Sequence, residues 1–324
     1  MSKPWGTPMA KEKTAGPAAL VLMATVARRY YLDGVSKSDI AAELGLSRFK
    51  VARLIEAARA SGIVRIELDS RGEINLDLSM RLRATYGLRQ CVVIDCPDDD
   101  DDVLREHLGR AAAQLLTEIV EPGDVLGLAW GRSLMAMRPF LGPLNHCDVV
   151  QLTGALSLPG EASPIELVRD VARWSRGQAF FFYAPMMLPD AATAQALRAQ
   201  PEIARAVARF PDVTKAVVGV GAWKEGQSTV ADAVSDAERG EMYELGVRAE
   251  VSSIQIDAEG RYVETSLAER LIGIRAEDLE AVPEVIAIVY GSQKAAAVHA
   301  TLRSDFVTSV VTHTALASAL LERA

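Results

Sequence analysis

Cysteine and histidine are scarce in this chain, and the scarcity closes off whole classes of protein. Its 324 residues include three cysteines (Cys91, Cys96, Cys147) and four histidines (His107, His146, His299, His313). An odd number of scattered cysteines is no disulfide framework, and neither residue type recurs at metal-ligand spacing, so no metal is expected and a reducing, cytoplasmic setting is. Also missing is any apolar run near the roughly 18–20 residues that a membrane span needs. The N-terminal MSKPWGTPMAKEKTAG has no apolar centre of the kind a signal peptide carries, and residues 1–17 are expected to be a flexible tail with no membrane partner. Gly219-Val220-Gly221 follows a strand-like run without a third glycine at dinucleotide spacing. It suits close backbone packing better than a nucleotide fingerprint, and no cofactor is expected.

What is present is a chain long enough for two domains with full cores, 49% apolar and 24% charged, the balance of a soluble globular protein. Its charge is uneven. Residues 1–69 hold 11 Lys/Arg against 7 Asp/Glu, a balance of +4, while the whole chain carries −8, which leaves −12 for the rest. A basic end on an acidic body suits a segment that neutralises phosphates.

Within that basic end, SKSDIAAELGLSRFKVARLIEAARASG (residues 36–62) reads as a helix-turn-helix. A first helix over 38–44, with Ser38 as its expected cap, carries Ile40, Ala41 and Leu44 on one face and stops at Gly45. Ser47 caps a second helix whose buried stripe is Val51, Leu54, Ile55 and Ala58. Arg48, Lys50 and Arg53 then lie on the exposed side. In such a motif the second helix enters the DNA major groove, which makes Ser47, Arg48, Lys50 and Arg53 the candidate DNA contacts. An earlier apolar repeat (Leu20, Met23, Ala24, Ala27, Tyr30, Tyr31) supplies a support helix, and the alternating IVRIEL of residues 63–68 reads as a wing strand. The expected division is a winged helix-turn-helix domain over 18–70, a linker helix over 71–87 and an effector and oligomerisation domain over 88–324.

From residue 88 onward, short apolar strands without polar alternation take turns with helices, which predicts a mostly parallel α/β sheet buried on both faces. Strands are expected at 91–95, 124–130, 148–156, 179–185, 215–223, 251–257, 284–291 and 306–312. Helices are expected at 103–120, 133–141, around 165–176, and at 192–209, 294–302 and 314–321. The acid run Asp98–Asp102 fits the start of a helix, where carboxylates complement the dipole, better than it fits a hard-cation loop. Two strand–Gly–helix turns stand out. Gly131-Arg132-Ser133 and Gly291-Ser292-Gln293-Lys294 each offer backbone N–H groups and a cation to an anion, at the carboxyl ends of strands where ligands of open α/β sheets bind.

In this order, the helix-turn-helix, GDVLGLAWGRSL (123–134), VVQLTGAL (149–156), YAPMMLP (183–189), VVGVGAW (217–223), RLIGI (270–274) and the terminal YGSQKAAAVHATLRSDFVTSVVTHTALASALL (290–321) resemble the SorC-type bacterial transcriptional regulators. The resemblance runs from about Leu20 to Leu321. It implies an effector domain folded like sugar-phosphate isomerases and deaminases, assembly into a dimer or tetramer, and control of a sugar-catabolic operon. By position it implies that the phosphate-holding turn falls on Gly131, Arg132 and Ser133, that Lys294 is the late lysine, and that Gln151 and Gly154 line the same pocket. The chain departs from the family pattern in three places. Glu250 stands where an Asp is usual, Ser253 and Ile254 replace a Gly-Arg pair while Asp257 is kept, and Thr312-His313-Thr314 replaces Thr-Asp-Glu. Glu250, Asp257 and His313 complete the expected effector set.

The resulting expectation is a transcriptional regulator with operator DNA and a sugar, polyol or sugar phosphate as partners, and with no catalytic residues. The rival is an isomerase- or deaminase-like enzyme with a DNA-binding appendage. That chemistry needs a placed general base, for which Asp257, Glu250 and His313 are the candidates, although no spacing unites them.

Overall fold

The computed structural model describes residues 16–65, 73–96, 100–156 and 163–324, and the chain divides into two compact units, Met1–Asp69 and Ser70–Ala324. Residues 1–15 of the expected tail, Ile66–Leu68 of the expected wing, and Asp98 and Asp99 lie outside the described residues, whereas Pro17, the last residue of that expected tail, already opens a helix.

The N-terminal unit consists of α1 (Pro17–Tyr31), α2 (Lys37–Leu44) and α3 (Arg48–Ala60). Val26 from α1, Ile40 and Ala41 from α2, and Val51 and Ile55 from α3 close a small core, with Met23, Ala27 and Ala58 beside it. Leu20 and Ala24, expected in the stripe of α1, face outward, and Val26 takes the buried place. The cap of α2 is Ser36 rather than Ser38. The Ser36 hydroxyl accepts from the Asp39 amide at 3.2 Å and donates to the Asp39 carboxylate at 2.7 Å, a reciprocal pair that Ser38, one residue inside the helix, does not form. Gly45 then ends α2 at φ 64°, where a side chain is disfavoured, and Ser47 caps α3 by accepting from the Lys50 amide at 3.2 Å. Residues 63–65 are not in a strand.

The helix expected as a linker, α4 (Leu76–Tyr86), belongs to the second unit, since Leu78 and Leu82 are buried in its core; Asn75 caps it and Gly87 ends it. The strands are β1 (Cys91–Ile94), β2 (Val125–Leu128), β3 (Asp148–Gln151), β4 (Ala179–Phe180), β5 (Lys215–Ala222), β6 (Ala249–Val251), β7 (Ile254–Ile256), β8 (Glu284–Ile288) and β9 (Ser309–His313). Between and after them run α5 (Asp101–Ile119), α6 (Arg132–Met135), α7 (Pro164–Ser175), α8 (Ala191–Arg198), α9 (Pro201–Val207), α10 (Thr229–Ala233), α11 (Asp236–Glu244), α12 (Ser266–Glu269), α13 (Ala276–Glu280), α14 (Ala295–Leu302) and α15 (Thr314–Leu321). Seven strands form a parallel sheet in the order β1-β9-β8-β5-β2-β3-β4. Every residue of β2, β8 and β9 is buried, as expected for strands covered on both faces.

The order of the strands locates the site. From β2 the chain steps to β3 and β4 on one side, and from β5 it steps to β8 and β9 on the other, so its direction reverses between the neighbours β2 and β5. A crevice outside the carboxyl ends of strands at such a reversal is where open α/β sheets bind ligands. Here β5 runs past the sheet: Lys215–Gly219 pair with β8, while Val220–Ala222 pair antiparallel with β6.

Several sequence expectations shift in detail. The single strand expected at 251–257 is a hairpin, β6–β7, turning at Ser252 and Ser253, whose φ angles of 49° and 73° are unusual for residues other than glycine. The helix expected at 192–209 breaks into α8 and α9 at Gln200, the residue before Pro201, which proline sterics keep extended. The acid run behaves as a helix start, with the Asp100 carboxylate accepting from the Asp102 and Val103 amides of α5.

Candidate functional site

At the reversal point a cleft opens, and four separate segments build its wall. Trp130, Gly131, Arg132 and Ser133 follow β2, and Gly219, Val220 and Gly221 lie where β5 leaves the sheet. Glu250, Ser252 and Ser253 come from the hairpin, and Tyr290, Gln293 and Lys294 follow β8. Gly226–Val230, Met186 and Asp101 complete the lining. Of the nine residues expected to read an effector, Gly131, Arg132, Ser133, Glu250 and Lys294 therefore meet in one place.

Their chemistry is mixed and polar. The Glu250 carboxylate is only 7% exposed. One oxygen accepts from the Ser228 hydroxyl at 3.1 Å and the other from the Ser253 amide at 2.9 Å. Burial pushes this carboxyl above its ordinary range, against those two donors and the charge of Lys294, which pull it down. Burial likewise lowers the Lys294 ammonium, with Asp101 and Glu250 opposing the shift and Arg132 and Arg105 adding to it. Lys294 stands over the Tyr290 ring at 4.8 Å, and Arg105 donates to the Tyr290 hydroxyl at 2.9 Å. A half-buried ammonium and a buried carboxylate lining one cleft can together hold a neutral polyhydroxylated molecule, and Arg132 in the same lining suits an attached phosphate.

The two glycine turns differ. Gly291 has φ 91°, a backbone conformation that favours glycine, whereas the nearby end of the Gln293 side chain, 2.7 Å from an added Cβ, could swing aside. Gly131 has φ 165°, ordinary extended backbone, and a Cβ would meet only Leu134 at 3.7 Å. Its bareness leaves the cleft wall open and is not needed to make the turn.

Gln151, Gly154, Asp257 and His313 do not line the cleft. Gln151 is buried below it, donating to the Thr153 carbonyl at 2.8 Å and accepting from the Phe182 amide at 3.3 Å. Gly154 packs so tightly that a Cβ would lie 2.7 Å from the Met186 backbone. Asp257 organises its own turn through the Glu259 and Arg261 amides and the Arg261 guanidinium. His313 accepts from the Gly291 amide at 3.1 Å and so supports that turn from beneath. The lining residues that sequence reasoning does not reach, chiefly Ser228, Ser252, Ser253, Tyr290 and Gln293, carry no motif of their own, although Tyr290 and Gln293 flank the Gly291 turn. Among the described residues no group of three or more His, Cys, Asp or Glu could hold a metal ion, and no helix is long and apolar enough to cross a membrane.

In the N-terminal unit Ser47, Arg48, Lys50 and Arg53 are all exposed along α3, opposite or beside the buried Val51, Ile55 and Ala58. Three cations at the start of a helix whose other side is packed make a surface suited to a polyanion.

A helix-turn-helix with an exposed basic helix, carried on the same chain as a parallel α/β domain with a polar cleft, defines a ligand-binding transcriptional regulator. Residues 70–322 match the family described as "Putative sugar-binding domain", and the chain belongs to that family, as a transcriptional regulator of the SorC type. It is 29% identical over 305 residues to the transcriptional regulator LsrR of Klebsiella pneumoniae, covering 93% of this chain and 92% of that one. To the erythritol catabolism regulatory protein EryD of Brucella abortus it is 28% identical over 298 residues, covering 90% and 93%. The crystal structure of the full-length sorbitol operon regulator SorC of Klebsiella pneumoniae matches with a TM-score of 0.71 at 23% identity, over 94% of this chain and 99% of that chain. These relatives are regulators and not enzymes, and the enzyme reading is set aside with them.

Proposed function

We propose that the chain is a cytoplasmic regulator of a sugar or polyol catabolic operon, and that a sugar, polyol or sugar phosphate bound in the cleft changes its hold on operator DNA. The observation that carries this reading is the convergence of Gly131, Arg132, Ser133, Glu250 and Lys294 on one cleft at the reversal of strand order. The buried Glu250 accepts hydroxyl protons, while Lys294 and Arg132 attract a phosphate or donate to further hydroxyls. The erythritol and sorbitol named for two relatives are polyols, which fits a buried carboxylate held by the Ser228 hydroxyl and the Ser253 amide.

Ser47, Arg48, Lys50 and Arg53 are the proposed operator contacts. The chain acts as a homodimer or tetramer, so that paired recognition helices meet two half-sites about one helical turn apart. A thermal-shift screen of the full chain against pentoses, hexoses, polyols and their phosphates tests the ligand half. A true effector raises the melting temperature by mass action. Lys294→Ala removes the shift produced by a phosphorylated ligand. A panel in which no compound shifts the melting temperature rejects the assignment of the cleft.

A further inference from the structure

We infer that Phe49, which projects from the exposed face of α3, reads the 5-methyl group of a thymine in the major groove of the operator. The inference rests on the DNA-binding reading above and deepens it. Phe49 is the second residue of α3 and is 85% exposed. Single exposed apolar residues are common, so the exposure alone decides nothing. Position decides. Val51, Ile55 and Ala58 mark the packed side of α3. At about 100° per residue, Phe49 and Arg53 point almost directly away from it, whereas Arg48 and Lys50 lie to its flanks. The two residues aimed outward from the N-terminal half of the helix are thus one aromatic ring and one guanidinium. Those are the positions nearest base edges when a recognition helix enters the groove.

The surroundings of the ring select its partner. Arg48, Lys50 and Arg53 surround it, and pairing this face with a second copy would bring like charges together. The occupant must therefore be a polyanion that also offers an apolar group. On the major-groove edges of B-DNA the only apolar group is the thymine methyl. Glu56 follows on the same side one turn beyond Arg53, which confines the cationic, base-facing surface to the first half of α3.

The test uses full-length chain and duplexes enriched by that chain from a random pool. Each thymine is replaced singly by deoxyuridine, which removes the methyl and keeps every hydrogen-bonding group. Wild-type affinity should fall roughly 3–10-fold at one thymine in each half-site, the scale of a buried methyl. Phe49→Ala should bind the parent duplex more weakly by a similar factor and be indifferent to that replacement, while Phe49→Leu keeps part of the discrimination. Wild-type binding insensitive to every replacement overturns the inference, as does a Phe49→Ala variant that keeps the same sensitivity. A change of oligomeric state in Phe49→Ala without DNA also overturns it, by showing that another copy covers the ring. Failure of the chain to enrich any duplex rejects the DNA-binding reading itself and is distinguishable from each of these results.

Discussion

Glu250 is the residue on which the chemistry of the cleft turns. Its carboxylate is buried with two donors and a nearby ammonium, and burial dominates, raising its pKa. The native protein therefore holds the proton to higher pH than the unfolded chain, in which the carboxyl titrates near 4.5. The stability of the neutral form is fully present below that value and is lost as pH rises through the native titration. Glu250→Gln cannot ionise and should escape the loss. Melting curves across pH should show the variant more stable than wild type at neutral pH, with the gap closing as pH falls toward 4.5. A gap independent of pH would show that burial does not govern this carboxyl. The same change removes a charged acceptor, and a ligand hydroxyl bonded to it should lose about 1.5–3 kcal/mol of binding.

The β6–β7 hairpin places Glu250, and it can do so because β5 presents glycine beneath it. A Cβ on Gly221 would lie 2.5 Å from both the Glu250 Oε1 and the Ser228 Cβ, whereas one on Gly219 would meet nothing nearer than Leu134 at 3.8 Å. Gly221→Ala should therefore destabilise the domain by about 1–3 kcal/mol and abolish effector binding by displacing the carboxylate. Gly219→Ala should leave the denaturation midpoint close to wild type and weaken binding alone, by narrowing the cleft. Denaturant titration and ligand thermal shift on the two variants separate these outcomes; equal stability loss in both would contradict the packing described. The same hairpin marks the limit of what the sequence discloses. The parallel strands and the turns at Gly131 and Gly291 were legible because short apolar runs and strand–Gly–helix punctuation are local signals. The hairpin was not, because its two-residue turn uses Ser252 and Ser253 with positive φ where Asn-Gly would have announced it. Ser228 and Glu250 meet only through the crossing of β5 and β6, a long-range contact that no spacing encodes. Gln151, Gly154, Asp257 and His313 were drawn into the expected site by position in a family pattern, yet their hydrogen bonds and packing hold the backbone around it.

Across the whole molecule, charge divides into a basic unit of about +4 and an acidic one of about −12, and the proposed function requires the two to be coupled. Operator binding by the first should weaken with salt, and replacing Arg48, Lys50 or Arg53 by Ala should flatten the slope of log affinity against log salt by about one for each phosphate contact removed. The cleft communicates with that binding only if its ligand prefers one arrangement of the chain over another, and coupling of this kind is typically about 1–3 kcal/mol, a 5- to 150-fold change in affinity. Linkage makes the effect reciprocal. A compound that raises the melting temperature of the full chain should change operator affinity by some factor, and saturating operator should change the affinity for that compound by the same factor in the same direction. Measuring both, by titrating DNA with and without compound and compound with and without DNA, tests the regulator as a single thermodynamic object. Equal factors above five place compound binding and operator binding in one equilibrium. A compound that binds the cleft while both factors stay at one would mean that occupancy of this cleft is not the signal the DNA-binding helices obey.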